Sequence, residues 1–209
     1  MGIGVRYLSQ FFLCHDIKNV QMKLKDLATI RSGLVLARKE SKQKTTHQYT
    51  LLNLRSIHPG GHIGMKTLDV FWATEILDDA YLSQIGDVIV RLSVPYTAVC
   101  IDKSTRNLVI PSNFVTIRTN NDRLLPEFLF WFLNRAQTRR LFYENSGGNM
   151  MAAIKPSYFA DLELPDIDLR KQKRIAEIHN TARKEIKLLH DLAEAKEQYY
   201  AGILDRLIE

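Results

Sequence analysis

The sequence is poor in the features that mark export, a membrane or a metal centre. Only two of its 209 residues are cysteines. Cys14 and Cys100 lie far apart with no CxxC pattern, so they offer neither a disulfide framework nor a zinc site and suit buried small apolar positions. No apolar run approaches the roughly 18 residues of a spanning helix. The mildly apolar start, Ile3 to Leu13, is interrupted by Arg6, Ser9 and Gln10, and no small-residue cleavage site follows it. The chain is therefore expected to be cytoplasmic, with no membrane segment. Proline is absent from Leu169 to Ile208, and glycine occurs there once, at Gly202. That absence is permissive, since nothing in the stretch stops a helix.

Catalytic machinery is missing as well. Gly60-Gly61-His62-Ile63-Gly64 shares only its glycines with a phosphate-cradling loop and reads as a hairpin turn. His58 and His62 are four apart, but Pro59-Gly60-Gly61 between them denies the helical spacing of a zinc protease. Ser93-Val94-Pro95-Tyr96 lacks the leading Asn or Asp of the motif used by amino-methyltransferases. Asp78-Asp79 reads as a polar turn. No nucleophile, base and orienter come together, so no enzyme activity, cofactor or metal is expected.

What the sequence does contain is a localised charge and a long amphipathic stretch. Its formal net charge is +6, and the window Lys18 to Lys44 alone holds eight basic residues against Asp26 and Glu40. Clustered cations of this kind suit a polyanion, because each phosphate neutralised releases counterions. From Leu169 to Ile208 apolar residues recur at steps of three and four, through Ile175, Ile178, Ala182, Ile186, Leu189, Leu192, Tyr199, Ile203 and Leu207, with Asp168 placed as an N-cap. A helix of about 40 residues is about 60 Å long. It outreaches a domain of this size, so part of the stripe should project and pair with another helix as a coiled coil. A core helix folded back on its own domain is the plainer alternative.

Between these features the chain divides into a loosely held lead-in over 1–22, a domain over 23–168 and the helix over 169–209. The domain is β-rich. Strands are expected at Tyr49–Leu54, Val88–Leu92, Ala98–Ile101, Leu108–Ile110 and Phe114–Arg118, each flanked by turn-forming residues. The segment Lys23–Ile30 ends at a turn, Ser32-Gly33. Residues 37–48 hold no apolar side chain after Ala37 and should form an exposed loop. One helix is expected from Pro126 to about Tyr143, stopped by Ser146-Gly147-Gly148-Asn149. A short helix to Asp161 and an extended stretch through Pro165 lead into the long helix.

The order of these motifs resembles the DNA-specificity subunit, HsdS, of type I restriction-modification systems, over Leu24 to Leu207. The matching pieces are Lys25-Asp26-Leu27-Ala28-Thr29-Ile30-Arg31-Ser32-Gly33, Leu51-Leu52-Asn53-Leu54-Arg55, Gly86-Asp87-Val88-Ile89 and Ile110-Pro111-Ser112-Asn113-Phe114-Val115. They close with the junction Leu164-Pro165, Gln172, Ile175 and Ala176. The chain departs from the pattern at Asp166-Ile167-Asp168, where a second proline is common, and it holds one recognition domain and one helix where full-length members hold two of each.

The resemblance implies an α+β fold: a β-rich target recognition domain that reads part of a split site in double-stranded DNA, and a helix that serves as spacer and docking surface. It implies no catalysis by this chain, because methylation and cleavage belong to separate modification and restriction subunits, which become its expected partners. Phosphate contacts are then expected from Arg31, Arg38, Lys39, Lys42 and Lys44, and base-edge contacts from His47, Arg91, Tyr96 and Asn149. Two copies paired side by side would place their domains together. An antiparallel homodimer would place them at opposite ends and reproduce the full-length geometry on a roughly palindromic, gapped site.

Overall fold

The computed structural model describes residues 21–119, 123–148 and 153–208. In chain order its strands are β1 (Gln21–Lys23), β2 (Ala28–Ser32), β3 (Gln48–Leu51), β4 (Asp69–Trp72), β5 (Val88–Arg91), β6 (Ala98–Cys100), β7 (Leu108–Val109), β8 (Phe114–Thr119) and β9 (Glu163–Pro165). The helices are α1 (Pro126–Asn134), α2 (Ala136–Asn145) and α3 (Leu169–Ile208).

Period-two alternation builds the central sheet, ordered β2-β8-β5-β6 and antiparallel throughout. Val88 and Val90 of β5 and Val115 and Ile117 of β8 point to one side, into a cluster with Phe128, Leu129 and Leu133 of α1 and Phe142 of α2. Ile89, Val99 and Phe114 point to the other, against Leu52, Ile57, Leu108 and Ile110. Because β5 is covered on both faces, its sequence is apolar almost throughout. A second sheet, β4-β3-β7, has β3 antiparallel to β4 and parallel to β7. It packs over Leu34, Phe71, Ala73, Leu77 and Val109. The short pair β1-β9 brings the start of the described chain beside the segment that precedes α3.

The sheet is pinned by one internal ion pair. Asp87 has no exposed surface. Its carboxylate accepts from Arg118 Nε at 2.6 Å and Nη2 at 2.8 Å, and from the Gln84 amide at 2.8 Å. The pair joins the entry of β5 to β8. A bidentate guanidinium with a third donor satisfies the carboxylate that this burial would otherwise strand.

One sequence expectation is corrected, and two strands lie where the sequence had assigned none. The single helix over 126–143 is two, broken at Arg135, whose backbone is extended at φ −62° and ψ 144°. No glycine or proline marks that break. Its cause is tertiary: the Asn134 amide accepts from the Ala98 N–H and donates to the Ala98 carbonyl, both at 3.1 Å, which fastens the end of α1 to β6. The segment leading to Ser32-Gly33 contains β2, the edge partner of β8. β4 was not anticipated at all, since Asp69-Val70-Phe71-Trp72 buries only Phe71 fully.

The long helix starts at Leu169, with the Asp168 carboxylate accepting from the Lys171 N–H at 2.8 Å. Its first turns belong to the body. Gln172 is buried, accepting from the Leu125 N–H at 2.9 Å and donating to the carbonyls of Arg123 at 2.7 Å and Ile167 at 2.9 Å. Ala176 is buried in the main core, and Ile175 packs against it. Every residue from 184 to 208 is exposed. No helix is long and apolar enough to cross a membrane among the described residues.

Candidate nucleic-acid interface

The cationic stretch is an anchored loop rather than a free one. Leu34 bridges to Pro111, a single 3₁₀ turn spans Leu36–Arg38, and Glu40 bridges to Ala73. Thr45 Oγ1 donates to the Ala73 carbonyl at 2.7 Å, and the Ala73 N–H donates to the His47 carbonyl at 2.9 Å. The polar residues of 41–47 thus fasten their backbone to the end of β4 and leave the long side chains outward. Arg38, Lys42 and Lys44 are exposed and take part in no ion pair among the described residues. Lys39 is different, because its ammonium is paired with Glu75, and that hydrogen bond holds the Glu75 carboxyl below its usual range.

Arg31 is exposed on the edge strand β2, opposite Thr116. Register places it on the same sheet face as Thr29, Arg118 and Arg91. Arg91 is half-buried, its Nε donating to Ser93 Oγ at 3.0 Å, and burial lowers its guanidinium from the ordinary value. His47 is half-buried beside the loop. An open groove of about 350 Å3, lined by Leu36, Leu52, Asn53, Leu54, Arg55, Pro111 and Asn113, runs beside the start of the loop.

Tyr96 does not belong in the contact set. It is 2% exposed, and its hydroxyl donates to Ser146 Oγ at 2.9 Å, so its ring fills the core and its polar end ties the β5–β6 turn to the end of α2. Asn149 lies outside the described residues.

A polar junction that sequence reasoning missed sits where α3 leaves the body. Arg183 donates to the carbonyls of Gly60 at 3.0 Å and Gly61 at 2.9 Å, and its guanidinium lies 4.7 Å from the centre of the Phe130 ring. His179 leans on the same ring at 5.3 Å. His58 and His62 stack on each other at 4.3 Å. Gly61 has φ +73°, and a Cβ there would come within 2.9 Å of Phe130. Glycine is thus required twice over. Burial, with His58, Arg183 and Lys187 nearby, holds the His62 imidazole below its ordinary range, and burial and then Arg183 do the same to His179. The signal for this junction was the Gly-Gly turn itself, whose receiver lies about 120 residues away and leaves no local pattern.

The stripe on α3 is also redistributed. Gln172, Ala176, His179 and Arg183 face the body, while Ile178 on the same turns is 63% exposed. Ile175 packs on the body and is lost to the pairing set. At about 100° per residue the body-facing row and the row from Ile178 lie roughly a third of a turn apart. Ala182, Ile186, Leu189, Leu192, Tyr199, Ile203 and Leu207 are all exposed.

Among the described residues no group of three or more His, Cys, Asp or Glu is placed to hold a metal ion. Burial pushes the Cys100 thiol up to about 12, with Glu127, Asp102 and Asp87 adding to it, which leaves it a poor nucleophile and ligand.

A sheet-built body carrying one long C-terminal helix is an HsdS-like α+β architecture, the fold of type I restriction-modification S subunits. The HsdS subunit of Thermoanaerobacter tengcongensis matches with a TM-score of 0.58 at 14% identity, over 84% of this chain and 40% of that one. The S subunit from M. genitalium matches at 0.56 and 14%, over 89% and 44%. A chain from a structure describing complex assembly and conformational transition of the type I system matches at 0.63 and 16%, over 85% and 45%. The chain therefore spans less than half of each. No protein-family model and no curated protein matches it in sequence.

Proposed function

We propose that this chain is a non-catalytic, sequence-specific DNA-binding subunit of a type I restriction-modification complex. In this reading 23–168 is a target recognition domain for one part of a split site, and 169–209 is its spacer and pairing helix. The observation that carries it is the anchored loop with Arg38, Lys42 and Lys44 exposed and without an ion pair among the described residues, mounted on a body of HsdS-like fold. An anchored cationic loop can position a duplex through its phosphates, and His47 at its end, with Arg31 and Arg91 on one face of the central sheet, are the candidates for contacts that depend on sequence. Lys39 contributes less than its neighbours, because Glu75 already neutralises it.

The helix supplies the protein contacts. Its outer stripe is wider than a two-helix seam, since Ile186, Tyr200 and Leu207 form a further apolar row beside it. After two copies pair, that row remains for the modification subunit, with the restriction subunit as a further partner. The same solvated stripe supports a second reading, a scaffold that joins other proteins and reads no DNA.

The test is binding to random-sequence duplex DNA in the presence of the modification subunit, followed by salt titration. Recovery of a convergent short motif supports the first reading, and recovery without enrichment supports the scaffold. Replacing Arg38, Lys42 and Lys44 together by alanine should reduce the slope of log affinity against log salt by about 2.7. An unchanged slope places the duplex elsewhere on the body.

A further inference from the structure

The β3–β4 ribbon has only one of its faces covered. Tyr49 and Leu51 of β3 and Phe71 of β4 lie on the inner face, in the cluster with Leu34, Leu77 and Val109. Alternation sends Gln48 and Thr50 to the outer face, and register sets Trp72 and Val70 directly across from them. Gln48 and Thr50 are exposed, Val70 is 59% exposed and Trp72 is half-buried. Two carboxylates close to the ribbon are already taken, Glu75 by Lys39 and Asp69 by Arg55. Glu40 remains exposed beside Ala73, outnumbered by Lys42 and Lys44 on the same stretch.

Cations flank the ribbon on both edges. Along the outer edge of β4 the Ser41 N–H donates to the Trp72 carbonyl at 2.8 Å and Thr45 Oγ1 donates to that of Ala73 at 2.7 Å, so the stretch carrying Lys42 and Lys44 runs beside it. On the other edge β7 lies against β3, with Leu108 paired to Thr50. The turn that enters β7 is tied down. Asp102 accepts from the N–H groups of Ser104 at 2.8 Å and Thr105 at 3.1 Å, and Ser83 Oγ donates to the Thr105 carbonyl at 2.8 Å. That turn exposes Lys103 and Arg106, neither of which takes part in an ion pair among the described residues. Three strand intervals separate the two flanks, about 14 Å at about 4.8 Å each. The major groove of B-DNA is about 12 Å wide and admits a two-stranded ribbon.

We infer that the outer face of the β3–β4 ribbon enters the major groove and reads base edges through Gln48, Thr50 and Val70, with Lys42 and Lys44 on one phosphate chain and Lys103 and Arg106 on the other. The Gln48 carboxamide offers one acceptor and a donor, the complement of adenine N6 and N7. The Thr50 hydroxyl gives or takes one bond, and the Val70 methyls suit the thymine methyl. His47, Tyr49 and Leu51 alternate with these residues and are half-buried, so every second side chain of the strand is offered to the groove. The minor groove suits the ribbon badly, because it is about 6 Å wide and shows A·T and T·A alike.

The inference rests on the proposed DNA-reading function and adds the surface that does the reading. Its test is selection from random duplex DNA by the full chain with its modification subunit. Gln48→Ala should erase a preference for adenine at one motif position, lowering discrimination there by about tenfold or more with the salt slope unchanged. Lys103→Ala with Arg106→Ala should do the reverse, lowering the slope by about 1.8 and leaving the motif intact. A probe that needs no variant replaces the adenines of the motif by an analogue with carbon in place of N7, which alters the major-groove edge alone. It should weaken binding by the natural chain about tenfold. A motif that Gln48→Ala and Thr50→Ala both leave intact, or indifference to the N7 analogue, overturns the inference and leaves the proposed function standing. A natural chain that selects no motif overturns both.

Discussion

At the scale of single residues, the polar side chains that tie this body's elements together reach partners far away in sequence. Asp87 is the clearest. Removing it strands the Arg118 guanidinium and the Gln84 amide, although Arg118 is about a third exposed and can turn toward water. Asp87→Ala should therefore cost about 2–3 kcal/mol, below the full penalty of breaking a deeply buried pair. The urea midpoint, at unchanged slope, measures it. His62 and His179 set a pH dependence. Both are held below their ordinary value of about 6.5 in the folded chain, so the unfolded chain takes up protons first as the pH falls. Their share of stability is present above about pH 6.5 and drains away below it, toward the folded values. Unfolding between pH 7 and 5 should show a steeper loss for the natural chain than for His62→Gln with His179→Gln.

At the scale of elements, the decisive contact is between the Gly60-Gly61 turn and α3. Arg183→Ala removes two charge-assisted hydrogen bonds and the contact with Phe130, so it should raise hydrogen exchange about tenfold or more in 58–64 and in α3 up to residue 183. Exchange in β5 and β8 should not change, which separates loosening of the helix from loss of the body. The elements differ in how plainly the sequence announced them. β5, β6, β7 and β8 were legible because their apolar content and flanking turns are local. So was α3, whose cap and stripe lie within itself. β4 was hidden because one buried phenylalanine among exposed neighbours has no period, and the α1–α2 break was hidden because Asn134 answers to Ala98. In the candidate site, the cationic loop was visible as composition. The neutralisation of Lys39 by Glu75, the burial of Tyr96 and the arrival of Arg183 at a distant turn were not, since each depends on chain crossings that no local window contains.

At the scale of the whole molecule, the structure joins two regions of unequal security. The body has cores on both faces of its central sheet, and α3 is fixed to it through Gln172, Ile175, Ala176 and Arg183. Beyond that point the 25 residues 184–208 are all exposed. The body spares this segment the cost of nucleation, yet an isolated helix in water is held by little more than its own backbone bonds, so without a partner it frays. In the proposed paired state its order therefore belongs to the assembly more than to the chain. Diluting the protein through its dissociation range should lower the ellipticity at 222 nm while the fluorescence of Trp72 and Trp131, both within the body, stays constant. A signal that does not depend on concentration would mean that the outer helix needs no companion. Otherwise the concentration of the chain governs its shape, and a cell that makes too little of it holds a folded body on a melted arm.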